Sequence, residues 1–160
     1  MSSPIRSCLN LSSVQSALQS ISELFSVSDL HFGHGSDNAW DEAVYLVLTL
    51  LDLGLDSDKS VLSNEISSSK AELISQAVTL RVDEKVPLPY ILHQAWFMGL
   101  SFYVDKRVLI PRSPFAEIIQ TEFQPWVKNQ VNRICEIGAG SACMSIAAAK
   151  IFPHAQIDAC

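Results

Sequence analysis

Apolar residues recur at every third or fourth position through the first part of the chain, which is the spacing of one helix face. Ser12 or Ser13 can cap a first helix, whose opposite face carries serine and glutamine. Its apolar stripe consists of Val14, Ala17, Leu18, Ile21, Leu24 and Phe25. A second stripe runs from Trp40 to Leu51, with Asp37 as the predicted N-cap and Gly54 as the end.

A third helix is predicted to open with the capping-box pair Ser69 and Glu72 and to continue through Leu80. Pro87 and Pro89 are then predicted to end helical structure, because proline lacks an N–H and restricts the residue before it. The amino-terminal half therefore predicts a small α-helical bundle.

The pattern changes after residue 95, where short apolar runs alternate with turn residues. Segments 96–104 and 108–110 predict two short strands around the polar turn 105–107, and together they would form a β-hairpin. The dipeptide 113–114, Ser-Pro, predicts the start of a helix that ends before Pro125.

The last thirty residues predict a strand, a glycine-containing turn, a helix and a second strand. The strand is expected at 133–137, the turn at 138–142, and the alanine-rich helix before Pro153, with the next strand at 156–160. That order is the opening unit of a doubly wound, Rossmann-like α/β sheet, and we expect the chain to stop partway through it.

Three segments follow from these patterns. We expect an α-helical domain over residues 1–92, a β-hairpin linker over 93–113 and an incomplete α/β domain over 114–160. The predicted fold class is thus a helical bundle, then a hairpin, then the truncated start of a doubly wound α/β domain.

Composition limits the partners that the chain could bind. Hydrophobic residues make up 48% of the chain and charged residues 18%, and the net charge is −6. A nucleic-acid groove needs clustered lysine and arginine, so this balance argues against direct nucleic-acid binding. An acidic chain is better suited to a basic partner.

The cysteines and the apolar runs indicate the cellular compartment in which the protein is expected. Cys8, Cys135, Cys143 and Cys160 have no metal-type spacing, and we expect Cys135 and Cys160 to be small core residues of strands. This favours a reducing cytosol without disulfides. No signal peptide is predicted, and the strongest apolar run, Val44 to Leu51, is too short to span a bilayer.

The turn from Glu136 to Ala142 is the strongest candidate for ligand chemistry. A turn between strand and helix directs backbone N–H groups and a helix N-terminus towards a ligand. Dinucleotide dehydrogenases favour Gly-x-Gly-x-x-Gly, which would need glycine where Cys143 stands. S-adenosylmethionine enzymes favour an acidic residue two positions before the first glycine, because the cofactor carries an ammonium and a sulfonium group. Glu136 fits that pattern, although a dehydrogenase turn and a turn without any cofactor remain open.

Three longer stretches cover most of the chain: FGHGSDNAWDEAVYLVL at 32–48, VPLPYILHQAWFMGLSFYVDKRVLIPRSPFAEII at 86–119, and ICEIGAGSACMSIAAAKIFPHAQIDAC at 134–160. The first resembles the helical amino-terminal domain of PrmB-type protein-glutamine methyltransferases and distinguishes them from the related HemK family. The second resembles the linker and hairpin that both families share. The third resembles their first cofactor motif.

The resemblance implies a function. Members transfer a methyl group from S-adenosylmethionine to the side-chain amide nitrogen of a glutamine, and PrmB-type members act on a large-subunit ribosomal protein in the cytoplasm. Residues 1–92 would then recognise this basic substrate, and 114–160 would begin the methyltransferase domain. The implied cofactor-binding residues are Glu136, Gly138, Ala139, Gly140, Ser141 and Ala142.

The chain departs from the family pattern at several positions. The family usually has glycine where Ala142 stands, and we expect alanine to crowd the turn but to remain tolerable. His93 and Gln94 replace the commoner Thr-Gly or Thr-Asn. The acidic residue for the cofactor's ribose would follow Cys160, so the role of Asp158 stays open.

The family's Asn-Pro-Pro-Tyr motif does not occur in these 160 residues. In the resembling enzymes, its Asn side chain and a Pro carbonyl hold the glutamine amide in line with the reactive methyl group. We therefore predict no catalytic residue in this chain, weak or no cofactor binding, and no activity alone. The alternative is a non-catalytic helical module that binds a protein.

Two further features have simpler explanations. His31, His34, Asp37 and Asp41 could be read as metal ligands, but turn and capping roles explain the aspartates, so no metal site is predicted. Trp40 and Trp96 are predicted to pack in a core or at a domain interface.

Overall fold

A computed structural model describes residues 8–33 and 35–160 of the chain. These residues form helices and two small sheets, and they divide between Leu92 and His93 into two compact units. In this described part, no helix is long and apolar enough to cross a membrane.

The elements of the first unit are α1 (Val14–Val27), α2 (Ala39–Leu50), a 3₁₀ turn (Lys59–Ser63), α3 (Ser68–Val82) and α4 (Leu88–Leu92). Those of the second unit are β1 (Ala95–Phe97), β2 (Leu100–Phe102), α5 (Phe115–Gln120), β3 (Arg133–Glu136), α6 (Cys143–Ile151) and β4 (Gln156–Ala159).

Helix α1 begins as its capping signal predicts. The Ser13 hydroxyl accepts a hydrogen bond from the N–H of Ser16, and the Ser16 hydroxyl accepts one from the N–H of Ser13. Two otherwise unpaired donors of the first turn are satisfied in this way. The apolar stripe faces inward, with Val14, Ala17, Leu18, Ile21 and Phe25 all buried.

The caps of α2 and α3 lie at different residues from those predicted. Asn38, not Asp37, caps α2, because its side-chain oxygen lies 2.9 Å from the N–H of Asp41. Ser67 caps α3, so Ser69 already lies within the first turn and cannot serve as the cap. Each substitute belongs to the set of side chains that cap helices well, which is why the helices still form where expected.

The first unit has one hydrophobic core built from α1, α2, α3 and α4. Its fully buried side chains include Phe25, Ile21, Leu46, Ile74 and Val78. The prediction that Pro87 and Pro89 end helical structure is wrong, because α4 begins at Leu88 and includes Pro89. Proline is tolerated there, since the first turn of a helix has N–H groups without intrahelical partners.

A buried ion pair joins α2 to α3. The Arg81 guanidinium donates to the Glu42 carboxylate and, over 2.9 Å, to the backbone oxygen of His31. The Ser36 hydroxyl donates to Glu42 over 3.2 Å. The side chains of Arg81 and Glu42 are only 5% and 4% exposed, so each charge depends on the other for its partner.

The second unit opens with two antiparallel strands. Phe97 pairs with Leu100, so the connection is the two-residue turn Met98–Gly99, where φ is +49° and +74°. The predicted turn at 105–107 and the second strand at 108–110 are therefore wrong. The strand breaks earlier because glycine permits the positive φ that such a tight turn requires.

Asp105 does not lie in a turn between strands but forms local hydrogen bonds with Arg107. Its carboxylate accepts hydrogen bonds from the side chain and the backbone N–H of Arg107. These bonds hold the pKa of Asp105 at about 2, below its ordinary value of 3.8.

Strands β3 and β4 pair in parallel, with Ile134 opposite Ile157, and α6 connects them. Both isoleucines pack against a cluster that contains Ile119, Ala148 and Phe152.

The predicted burial of Cys135 and Cys160 is wrong, because both are exposed. Cys135 alternates with the inward-facing Ile134 and so points to the opposite face of the sheet, where its cross-strand neighbour is the exposed Asp158. A thiol in a strand is buried only where both faces of the sheet are covered.

Replacing Arg81 by methionine should lower the free energy of unfolding by about 3 kcal/mol, because Glu42 would keep a buried charge without its partner. Urea denaturation of the chain measures the loss. Lys70→Met is the matched control, since Lys70 pairs with an Asp52 side chain that is 83% exposed. It should cost less than about 1 kcal/mol. Equal losses in the two variants would contradict a special role for the buried pair.

Candidate functional site

The turn between β3 and α6 brings the six predicted cofactor-binding residues together, from Glu136 at the end of the strand to Ala142 at the start of the helix. Gly138 and Gly140 have φ of +77° and +55°. A Cβ added at either position would meet no atom within 4 Å, so the backbone angle and not a lack of space requires glycine. The surface above both glycines is open to a ligand.

The turn is held to the end of β4 through backbone hydrogen bonds. The carbonyl oxygen of Cys160 accepts from the N–H groups of Gly138 and Ala139 over 2.6 and 3.0 Å. Those two donors are therefore used within the fold. Among the described residues, none accepts a hydrogen bond from the N–H of Gly140 or Ser141, so these two N–H groups are available to a ligand.

Ala142 adopts a conformation that normally belongs to glycine. Its φ and ψ are +57° and +22°, in the left-handed region, and it stands at the N-cap of α6 without a side-chain cap. An L-residue with a Cβ pays about 1–2 kcal/mol to occupy this region. The cost of alanine at this position is thus a backbone strain.

The carboxylate of Glu136 takes over the capping of α6. Its Oε2 accepts hydrogen bonds from the backbone N–H of Ser145, over 2.9 Å, and from the Ser145 hydroxyl. Ser145 is the third residue of the helix, where an N-cap side chain ordinarily finds its donor. A negative charge is also stabilised at this end of the helix dipole.

Sequence reasoning missed Ser145. The residue lies on the alanine-rich helix face, and its sequence position gives no sign that it contacts a strand nine residues earlier.

Glu136 and Ser145 line an open cleft of about 290 Å³ between α5, β3 and α6. The other residues around it are mostly apolar and include Phe115, Ile119, Ile134, Met144 and Ala148. A carboxylate at the edge of an apolar cleft favours a ligand that combines a cationic group with an apolar body.

Asp158 is engaged in an ion pair on the sheet surface. Its carboxylate lies 3.0 Å from the guanidinium of Arg133 and 3.3 Å from the side-chain amide of Gln156. The hydrogen bond from Arg133, and after it that from Gln156, lowers the pKa of Asp158. Since Arg133 and Gln156 are cross-strand neighbours, these contacts tie the carboxylate to the β3–β4 pair itself.

No group of three His, Cys, Asp or Glu side chains within 8–33 and 35–160 is arranged to hold a metal ion. His34, one of the residues considered as a ligand, lies outside the described residues. Asp41 instead accepts a hydrogen bond from the side chain of Asn38 over 2.8 Å, next to the cap of α2.

Replacing Ala142 by glycine should raise the free energy of unfolding by roughly 0.5–1 kcal/mol, because relief of the left-handed strain exceeds the extra entropy of glycine in the unfolded chain. Urea denaturation measures the difference. The matched control is Ala149→Gly at an exposed position inside α6, which should lose about 1 kcal/mol. A loss of stability in both variants would contradict the strain at residue 142.

Two known proteins are similar to this chain in sequence. A scan against protein-family models found no match. The ribosomal protein uL3 glutamine methyltransferase of Francisella tularensis subsp. tularensis is 41% identical over 140 residues, which cover 86% of this chain and 44% of the relative. The protein of the same name from Bordetella pertussis is 45% identical over 129 residues, which cover 79% of this chain and 43% of that relative.

The chain therefore spans a little under half the length of the curated relatives that it matches. The matched region includes most of the chain, in agreement with the three stretches that carry the resemblance. Over most of its own length, the chain is thus homologous to the PrmB-type protein-glutamine methyltransferases, and the resemblance indicated by its motifs is confirmed.

Proposed function

We propose that this chain supplies the amino-terminal part of an enzyme that uses S-adenosylmethionine to methylate a glutamine side-chain amide in ribosomal protein uL3. The observation that carries the proposal is the identity of 41–45% to proteins named for that reaction, over most of the chain. The open turn after β3, with its carboxylate, supports the cofactor.

The turn offers what this cofactor needs. S-adenosylmethionine supplies a methyl group activated on a sulfonium, and its methionyl part has an ammonium and a carboxylate. The Glu136 carboxylate can attract the ammonium, and the free N–H groups of Gly140 and Ser141 can donate to a negatively charged or carbonyl oxygen. The left-handed glycines allow the ligand to approach the backbone closely.

The three segments then have separate tasks. Residues 1–92 are the helical substrate-recognition domain, residues 93–113 are the linker, and residues 114–160 are the start of a Rossmann-like methyltransferase domain. The protein acts in the cytoplasm, where a ribosomal protein meets it.

The chain alone has no means to activate the glutamine. An amide nitrogen is a poor nucleophile, because its lone pair is delocalised into the carbonyl, so the reaction depends on positioning and electrostatics. The Asn-Pro-Pro-Tyr motif that provides this positioning in the resembling family does not occur in these 160 residues. We expect the 160-residue chain to bind the cofactor only in the millimolar range or more weakly.

The charge distribution supports substrate recognition by the helical segment. Residues 1–92 have twelve acidic and five basic side chains, whereas residues 93–160 have five acidic and six basic ones. The net negative charge of the chain thus comes from residues 1–92. Trp40 and Trp96 are each 49% exposed, so the prediction that both are packed is wrong. Trp40 lies in the acidic segment, next to the exposed Asp41 in the sequence and three residues after the exposed Asp37. An accessible aromatic ring in an acidic segment suits lysine and arginine side chains of a basic protein.

Joining this chain to the part of the Bordetella pertussis relative beyond the match should give an enzyme that transfers labelled methyl from S-adenosylmethionine to uL3. Mass spectrometry should locate the methyl on one glutamine. Glu136→Ala in this chimera should lower the cofactor affinity at least about tenfold, the loss of one charge-assisted contact. Turnover by the 160-residue chain alone, or methylation of a residue other than glutamine, would contradict the proposal.

Reversing two charges beside Trp40, with Asp37→Lys and Asp41→Lys, should weaken binding of uL3 to the chain roughly tenfold, because two attractive contacts become repulsive. Calorimetry at low and high salt measures the effect. The matched control has the same change in net charge in the second unit, Glu117→Lys with Glu122→Lys, and should bind nearly as the unmodified chain does. Equal weakening in both variants would show that only net charge matters, and circular dichroism verifies that α2 remains folded.

A further inference from the structure

Ser145 makes an unusual pair of contacts for a residue of an alanine-rich helix. Its backbone N–H and its hydroxyl both donate to one atom, Oε2 of Glu136. The residue is only 7% exposed and lies between the buried Cys143 and Ala147. A serine inside a helix ordinarily turns its hydroxyl to solvent or to the carbonyl four residues earlier. Here the hydroxyl instead leaves its helix and reaches the end of β3.

The two donors have different consequences for the carboxylate. The backbone N–H alone would satisfy the helix start, and any residue at position 145 would supply it. The hydroxyl adds a second bond to the same oxygen, so it restricts rotation of the carboxyl group. Among the described residues, none donates a hydrogen bond to Oε1 of Glu136, so this oxygen keeps its full capacity to accept.

The free oxygen Oε1 is significant because of where Glu136 and Ser145 lie in the fold. Both Glu136 and Ser145 line the cleft of about 290 Å³ that opens beside β3 and α6. A carboxylate that is fixed before the ligand arrives loses little conformational entropy on binding. The serine hydroxyl would therefore increase affinity for a cationic ligand without touching that ligand.

We propose that Ser145 is a positioning residue, which holds the carboxylate of Glu136 so that Oε1 faces the methionyl ammonium of S-adenosylmethionine. This inference rests on the proposed function, since it takes the cofactor from there. It adds a determinant of affinity outside the glycine turn, and it separates the two roles of Glu136: Oε2 starts the helix and Oε1 binds the ligand.

The first arm of the test uses the 160-residue chain without ligand. In Ser145→Ala, nuclear magnetic resonance couplings of the Glu136 side chain should change from one conformer to an average over several, whereas Ser145→Thr should keep one conformer. Ala149→Gly weakens α6 at an exposed position away from the carboxylate and is the control for a general loss of helix order. A Glu136 side chain that stays equally ordered in Ser145→Ala overturns the proposal.

The second arm uses the chimera with the Bordetella pertussis relative and compares two ligands by titration: S-adenosylmethionine and 5′-methylthioadenosine, which lacks the methionyl ammonium. Ser145→Ala should weaken binding of the first ligand about fivefold to tenfold, because the Glu136 side chain would then have to be ordered on binding, and leave binding of the second within about twofold. Ser145→Thr should restore the affinity. In a Glu136→Gln background, Ser145→Ala should have no further effect.

Failures of the two proposals are distinguishable. If Ser145→Ala weakens the binding of both ligands equally, and Ala149→Gly does the same, then Ser145 only stabilises the helix. That result overturns this inference alone. Absence of binding of both ligands to the unmodified chimera with the Bordetella pertussis relative overturns the cofactor site itself, and the role of Ser145 with it.

Discussion

Helix α6 has no side-chain cap of its own, so its first turn depends on the carboxylate of Glu136. The cause is the glycine turn, which brings Ala142 to the N-cap position with a methyl group that cannot accept a hydrogen bond. One carboxylate therefore joins the end of β3 to the start of the helix. The same carboxylate is the only acidic side chain around the cleft beside it within the part of the chain that the structure describes.

Under the proposed function, this arrangement links local stability to ligand binding. In that case, a ligand cation that approaches Glu136 meets a carboxylate already oriented by the helix. The remaining parts of the turn contribute without side chains: left-handed backbone at two glycines, two N–H groups bonded to the end of β4 and two left free. Substitutions at the turn should consequently affect folding and binding together, whereas those on the exposed side of α6 should affect folding alone.

How much of this could be predicted from the sequence differs between the two units. Helices α1 and α2 follow from their apolar stripes, because a helix in a small domain must bury one face. The prediction of helix α3 rests on a capping pattern instead. Their caps are less certain, since Asp37 and Asn38 are equally suitable residues and the final position depends on where the chain enters the helix. The buried pair of Glu42 and Arg81 spans 39 residues, and no local pattern indicates it.

In the second unit, the strand–turn–helix–strand order and the glycine turn follow from residue types. The turn at Met98–Gly99 does not, because methionine at positive φ has no sequence signal. The exposure of Cys135 depends on how many elements cover the sheet, which strand propensity does not specify. The contact of Ser145 with Glu136 arises only after strand and helix have packed.

The central claim is that the turn after β3, together with the start of α6, is the cofactor cradle. The most direct measurement is a titration of the isotopically labelled chain with S-adenosylmethionine, followed through every backbone amide signal. The account predicts that the largest shifts fall on Gly140, Ser141 and Ser145, with residues 8–92 unchanged. Shifts confined to the helical unit, or spread evenly over the surface with none at the turn, would contradict it.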